Sequence, residues 1–408
     1  LFPLSYLHHR WKQLTWSLTL SSKRNSLSLN TRRIACIQNE LSEVEQKVLP
    51  QQQLEHECLQ HELIQHIKDT TVKQNVNNVT RTMAYKRIYD QHPELHWAYL
   101  AHMVSRNAGW SMTDLRGECL PHLITSVSRK HIFTFLETAN ALIFQDAYPQ
   151  LLLYHYSRQR EENLFHLLPS FHISTFMKPF WDDFWERKDS MLLTVALVIN
   201  EQHYIEERVV QDPFFKVHVL ETLPFKIQSI LQFNQVIFPY AIGPSQHRVC
   251  GLTLEQFSNI NERIEFGKSL YFILFYYPEV HKRCALFSDE IQHSGSRSDY
   301  WPTLFQSTMV QSERNLNLLL YEKKMNRGKL INKNKKLYSP PLHEAWDNMR
   351  LPKIRRFDWF PKANPWHYFK SIKRPKMLDM THDHSLMFSA LELSVLAGEK
   401  IGILNDDQ

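Results

Sequence analysis

Glycine occurs only nine times in 408 residues, where an average usage of about 7% would place roughly 29. Glycine supplies positive-φ backbone, tight hairpin turns and the close backbone approach of a phosphate-binding loop. A chain so short of it predicts long helices joined by short polar links, with no glycine-lined phosphate cradle. The expected fold class is therefore all-α. A large multi-helix, bundle-like core is followed by a long, basic, irregular arm rich in proline and aromatic residues, and a C-terminal helix docks back on the core.

Apolar periodicity places the elements. Residues 1–33 read as a basic tail without an acidic residue, poorly ordered and carrying no export signal. Residues 34–75 form an amphipathic helical segment, broken near Pro50. The core, 76–322, opens on a helix capped by Asn78 or Thr80. Pro93 then starts a helix that runs to about Ala108, with Gly109 as its stop. Further helices are expected at 129–147, 149–165, 174–187, 190–210, 213–236 and 305–325. A capping box of Thr253 with Gln256 opens another, reaching Tyr277. No stretch alternates at period two, so any sheet is minor. Residues 381–408 supply the last helix, with Gly398 as a stop signal.

Charge breaks sharply within this pattern. The stretch 323–376 holds 16 Lys and Arg against Glu344, Asp347 and Asp358, which leaves the rest of the +6 chain at net −7. Eight aromatic residues and six prolines interleave with that charge. Arg350, Lys353, Arg355, Arg356, Lys373 and Arg374, with Trp359 and Trp366, form a candidate platform for a nucleic acid or another acidic macromolecule. The competing expectation is a solvated loop whose aromatic side chains pack on the core while lysine stems extend into water.

Several motifs fail on their geometry. "FGKS" (266–269) ends like a Walker A loop but holds Glu262 at the first glycine position, and it falls within a helix. "HELIQH" (61–66) sets its histidines about 140° apart on a helix, unlike zinc ligands at i,i+4. "HEAWD" (343–347) sits in a proline-broken loop, and "HDH" (382–384) is a common surface tripeptide. No metal site or cofactor is predicted. Five scattered cysteines without CxxC suggest free thiols in a reducing cytoplasm. The longest apolar runs, 191–199 and 270–277, fall short of the roughly 18 residues of a membrane span.

The candidate site lies on and around "AHMVSRNAGWSMTDLRG" (101–117). His96 and Asn107 share one face of its helix, and His102 and Arg106 share another. Apolar residues on both faces predict burial nearly all round. A buried Arg106 needs a partner, and Asp114, Asp146 and Glu207 are available, an Arg106–Asp146 pair being one expectation. Asn200, His203 and Glu207, at i, i+3 and i+7, would share a face of the helix after 190. The loop 293–302 adds His293, Arg297 and Asp299. These groups form either an architectural network or a pocket. In the pocket, Arg106 would hold a small anionic ligand and His102 would shuttle a proton.

The strings "NVTRTMAYKRIY", "HPELHWAYLAHMVSRNAGWSMTDLRG", "IFQDAYPQLLLY", "INEQHYIEERV", "EFGKSLY" and "GSRSDYWP" occur in this order. On them, the chain resembles the YppC-type family of Bacillus and its relatives, a family of unknown function, from about Asn77 to Ala397. The resemblance implies a bacterial, cytoplasmic protein. It brings no activity, substrate or catalytic residue. The oligomeric state is left open.

Overall fold

The computed structural model describes residues 22–44, 57–222, 234–241, 247–309, 321–351, 357–375 and 379–401. They are mostly helical. The principal helices are α1 (Thr31–Val44), α2 (Glu57–Gln74), α3 (Asn78–Gln91), α4 (His96–Asp114), α5 (Ser126–Arg160), α6 (Met177–Arg187), α7 (Ser190–Ile205), α8 (Ile260–Tyr276), α9 (Pro278–Glu290) and α10 (Thr381–Ile401). No helix among the described residues is long and apolar enough to cross a membrane.

The central element is α4. Trp97, Ala98, Tyr99, Leu100, Met103, Trp110 and Met112 are all buried, as are the polar His102, Arg106 and Thr113. Residues on every side of a 3.6-residue period are covered, so α4 is enclosed by α3, α5, α7 and α8. Its length departs from the expected stop at Gly109. The helix continues five residues further because Gly109 is a contact point rather than an end. A Cβ there would lie 2.6 Å from His293 Nε2 and closer still to Asn78 Oδ1.

Other boundaries moved for equally local reasons. Asn77, not Asn78 or Thr80, caps α3, with Thr80 completing a reciprocal capping box. Pro149 does not divide 129–165 into two helices; α5 runs through it with Pro149 buried. Thr253 belongs to a strand, and α8 starts at Ile260 behind an Asn259 cap. The strand pair Gln235–Ala241 and Arg248–Thr253 is antiparallel, so part of the expected helix 213–236 is extended. Residues 223–233 of that helix lie outside the described residues. At 305–325 a short strand, Phe305–Gln306, pairs in parallel with Leu337–Tyr338 where helix was expected; residues 310–320 lie outside the described set. Helix α10 passes through Gly398.

The first and last described segments both contact other parts of the fold. Strand Ser26–Leu27 pairs with Ile372–Lys373, and Leu27 is fully buried; residues 1–21 of the expected tail lie outside the described residues. On α10, Glu392 accepts hydrogen bonds from the Lys324 and Met325 amides, and Phe388 meets Phe305 edge-on.

Candidate functional site

The polar residues picked out in the sequence do not converge. They separate into distinct places. His102 Nδ1 donates to the Thr82 carbonyl (2.8 Å), and its Nε2 accepts from Arg106 Nε (3.2 Å). The Arg106 guanidinium also donates to the Ile291 carbonyl and lies over the Phe287 ring. The expected Arg106–Asp146 pair is absent, because Arg106 turns toward α9 while Asp146 faces α7. Burial lowers the Arg106 pKa to about 10, and burial followed by the Arg106 charge pushes His102 well below its ordinary value. A neutral, enclosed His102 is poorly placed to shuttle protons.

A second group joins α4 to the loop before Trp301. Arg297 Nε and a terminal nitrogen donate to Asp114 at 2.7–2.8 Å, and its other terminal nitrogen donates to the Tyr300 hydroxyl. Tyr300 in turn bonds His384 at 2.8 Å, so one histidine of "HDH" is buried rather than on the surface. Burial works to lower the Arg297 pKa, yet the Asp114 carboxylate more than reverses this and raises it. Nearby, Asn78 Nδ2 donates to the Ser105 carbonyl, which leaves Oδ1 to accept from His293 Nε2 (2.9 Å). His293 Nδ1 faces Asp299 at 3.5 Å.

A third group underlies the arm. Asp146 accepts from Gln150 (3.0 Å) and from Asn200, whose Oδ1 accepts from Trp359 Nε1 (2.9 Å). His203 stacks on Trp359 with ring centroids 4.3 Å apart. Burial, opposed by the Asn200 bond, lifts Asp146 to about 7, and burial lowers His203 to about 4. Trp359 is thus buried and occupied, and Trp366 packs against Phe176 and Phe369; neither ring stands free for base stacking. Arg350, Lys373 and Arg374 are exposed, whereas Lys353, Arg355 and Arg356 lie outside the described residues. Glu207 is exposed, apart from Asn200 and His203. His96 bonds Tyr271 (3.0 Å) and stacks on Phe275.

What the fold does assemble is a cavity of about 210 Å³ between α4, α5, α7, α8 and the strand pair. Its wall is largely apolar, with Leu100, Val104, Phe135, Ile143, Phe266 and Leu270 prominent. Of the residues singled out beforehand, only Asn107 reaches it, as a brace: its amide exchanges hydrogen bonds of 2.8 and 2.9 Å with the Ile237 backbone, docking the strand on α4.

Polar residues interrupt the wall, among them Ser111, Asn140, Glu201, Gln202, Asn234 and Gln235. Glu201 Oε2 accepts from Trp97 Nε1 (3.1 Å) and Oε1 from Gln202 (3.2 Å), and no ion pair reaches it among the described residues. Arg263, also at the wall, is committed to Gln202, the Phe257 carbonyl and Glu206. Burial, partly offset by the Gln202 and Trp97 bonds, pushes Glu201 up to about 8, so its carboxyl is chiefly protonated at neutral pH. Asn234 is 7% exposed; its Nδ2 donates to the Leu254 carbonyl, and its Oδ1 is buried without a partner among the described residues. No group of three or more His, Cys, Asp or Glu among the described residues has a metal-holding arrangement.

Residues 73–385 match the family described as "Protein of unknown function (DUF2515)". The chain belongs to this family. It is 44% identical over 233 residues to the "Uncharacterized protein YppC" of Bacillus subtilis (strain 168), a match covering 57% of this chain and 71% of that protein. No solved structure matches the chain. The family segment contains the whole cavity wall, from Tyr85 to Leu270.

Glu201 and Asn234 were missed by sequence reasoning. The signal for Glu201 was present: an acidic residue two positions beyond the apolar run 191–199 sits where a helix is still buried. Asn234 gave none, since its burial depends on the Leu254 backbone, twenty residues away.

Proposed function

We propose that this protein binds a small, largely apolar molecule in the cavity against α4, with Glu201 as its polar anchor. The observation that supports this reading is a carboxyl without an ion-pair partner set in an apolar wall. A charge buried for architecture is ordinarily paired, as Asp114 is with Arg297. On the scale where about 150 Å³ holds a benzene, the cavity suits a ligand of about eight non-hydrogen atoms. Saturable binding of toluene, phenol or benzyl alcohol, followed by ligand-detected NMR, is the expected result. Ala139→Leu, which extends a wall residue into the space, should abolish that binding without lowering Tm. Undiminished binding by the filled variant, or none by the parent, refutes the reading.

A second reading keeps the basic segment as a surface for a polyanion such as nucleic acid. Its support is charge alone: Lys323, Arg327, Lys329, Lys333 and Lys335 are exposed, and of these Lys335 pairs with Glu322. Single-stranded DNA binding should then weaken with salt, and replacing Lys323, Arg327 and Lys329 by Ala should flatten the log–log slope by about 0.7 per lost phosphate contact. Identical salt curves for both proteins end it. The setting we infer is the cytoplasm, which the free thiols Cys36, Cys119, Cys250 and Cys284 favour.

A further inference from the structure

Helix α10 departs from the pattern of an ordinary surface helix. Phe388, Leu391 and Val395 are buried against the core, yet the side facing away from them is apolar as well. Leu386, Ala390, Leu393 and Ala397 are exposed and, at steps of three and four residues, form one stripe along the helix. Leu386 is 38% exposed and Leu393 53%. Between Thr381 and Gly398 the only acidic residues are Asp383, at the start of the stripe, and the buried Glu392. A helix resting on a globular core usually turns charged residues to its far side.

A basic hairpin lies beside this stripe. Met325–Asn326 pairs antiparallel with Lys329–Leu330, and Arg327 and Gly328 turn between them with positive φ. The Gly328 amide donates to Ser389 Oγ (2.8 Å), and the Lys324 and Met325 amides donate to Glu392. Ser389 and Glu392 directly precede the stripe residues Ala390 and Leu393, so hairpin and stripe lie about 100° apart around α10. Among the exposed residues of 322–335, Lys323, Arg327, Lys329, Lys333 and Lys335 stand against one acid, Glu322, which pairs with Lys335. Ile331, 60% exposed, adds apolar surface to the same segment.

Charge and apolarity together select the occupant. A second copy meeting this face with its own would set like charges against each other. A nucleic acid would use the cations and leave the leucines in water. An anionic bilayer surface uses both. We infer that α10 and the hairpin form a peripheral face for membranes rich in acidic phospholipid. Leu386, Leu393 and Ile331 enter the boundary between headgroups and acyl chains, while Arg327, Lys329 and their basic neighbours meet the headgroups. The contact is interfacial, since no helix among the described residues is long and apolar enough to span. This face is independent of the cavity reading and shares only its cations with the polyanion reading.

The test is sedimentation of the full chain with vesicles of phosphatidylcholine alone or with about 30% phosphatidylserine, at about 0.1 M salt. The anionic vesicles should bind at least about tenfold more tightly than the neutral ones. Replacing Leu386 and Leu393 by Ser should lower that binding at least about tenfold without changing Tm. Arg327→Ala with Lys329→Ala should lower it about 25-fold, at about fivefold per basic residue. No preference for anionic vesicles, or undiminished binding by the leucine variant, overturns the inference. So does a dimeric parent that the leucine variant makes monomeric, because a second copy then covers the face. Single-stranded DNA binding without vesicle binding overturns the membrane face and leaves the polyanion reading standing. Leu393→Ser alone serves where the double variant does not fold.

Discussion

Asp114 and Glu201 are both half-buried carboxyls near the C-terminal ends of neighbouring helices, and they are treated in opposite ways. Asp114 receives two donors of Arg297, which also holds Tyr300 and lies over the Phe388 ring. That single guanidinium connects α4, the loop before Trp301 and α10. Glu201 receives only neutral donors and no cation. The first arrangement is complete within the protein and reads as architecture. The second is left incomplete at a cavity, which is where an external partner can contribute.

The largest effect that would break this contrast is at the completed site. Arg297→Ala leaves Asp114 without its partner, and removing one member of a buried pair typically costs about 3–5 kcal/mol. Urea denaturation should show a midpoint shift of that order with an unchanged m value. A loss below about 1 kcal/mol would mean that Asp114 and Glu201 are not different in kind.

Next in size is Gly109→Ala. The new methyl would press on His293 Nε2 and Asn78 Oδ1, two groups already bonded to each other, and overpacking of this kind costs about 1–3 kcal/mol. The helical register itself has nothing against alanine, so the ordinary gain of a Gly→Ala change within a helix should be visibly reversed in the thermal melt. A stabilised variant would show that the Asn78–His293 contact gives way easily.

Gly109 also shows what was legible in the sequence and what was not. Helix content followed from the scarcity of glycine, and the burial of α4 followed from apolar residues on all its faces. Those are local properties of composition and period. Whether a glycine ends a helix or admits a neighbour depends on His293, far along the chain, and no local rule carries that. The same limit applies to pairing. Arg106 and Asp146 were both correctly expected inside, yet each found different company, because burial follows from one-dimensional pattern while partner choice follows from how helices rotate against one another. Proline 149 and Thr253 failed for a related reason: tertiary packing overrode a local signal that was real but weak.

The electrostatic side of the contrast sets a pH dependence. In the unfolded chain Glu201 ionises near 4.5, whereas in the fold burial holds its proton up to about 8. Between those values the native state binds more protons, so stability falls as pH rises from about 4.5 to 8 and levels off above. Asp146, lifted from 3.8 to about 7, acts in the same direction over a lower window. Glu201→Gln should therefore flatten the fall between pH 5 and 8, by up to about 1.4 kcal/mol per pH unit. Denaturation midpoints at pH 5, 6, 7 and 8 measure it. Parallel curves for the variant and the parent would place the Glu201 ionisation outside that interval and remove the neutral donor from the cavity.

The smallest effect belongs to Glu207, which lies six residues beyond Glu201 and was expected to share a face with Asn200 and His203. The α-helical ladder of α7 ends at Ile205, and Glu206–Val210 forms a π-helical turn, in which the Gln211 amide bonds to the Glu206 carbonyl five residues back. A π turn advances each residue through a smaller angle than an α turn, so Glu207 lags behind the face it would otherwise occupy and points to solvent. Glu206 is placed instead to pair with Arg263. Glu207→Ala should change stability by no more than about 0.5 kcal/mol, as for surface positions in general, and leave any ligand affinity at the cavity unaltered. A larger change would mean that the turn brings Glu207 inward in solution, next to Asn200 and His203, and that α7 offers two functional acids rather than one.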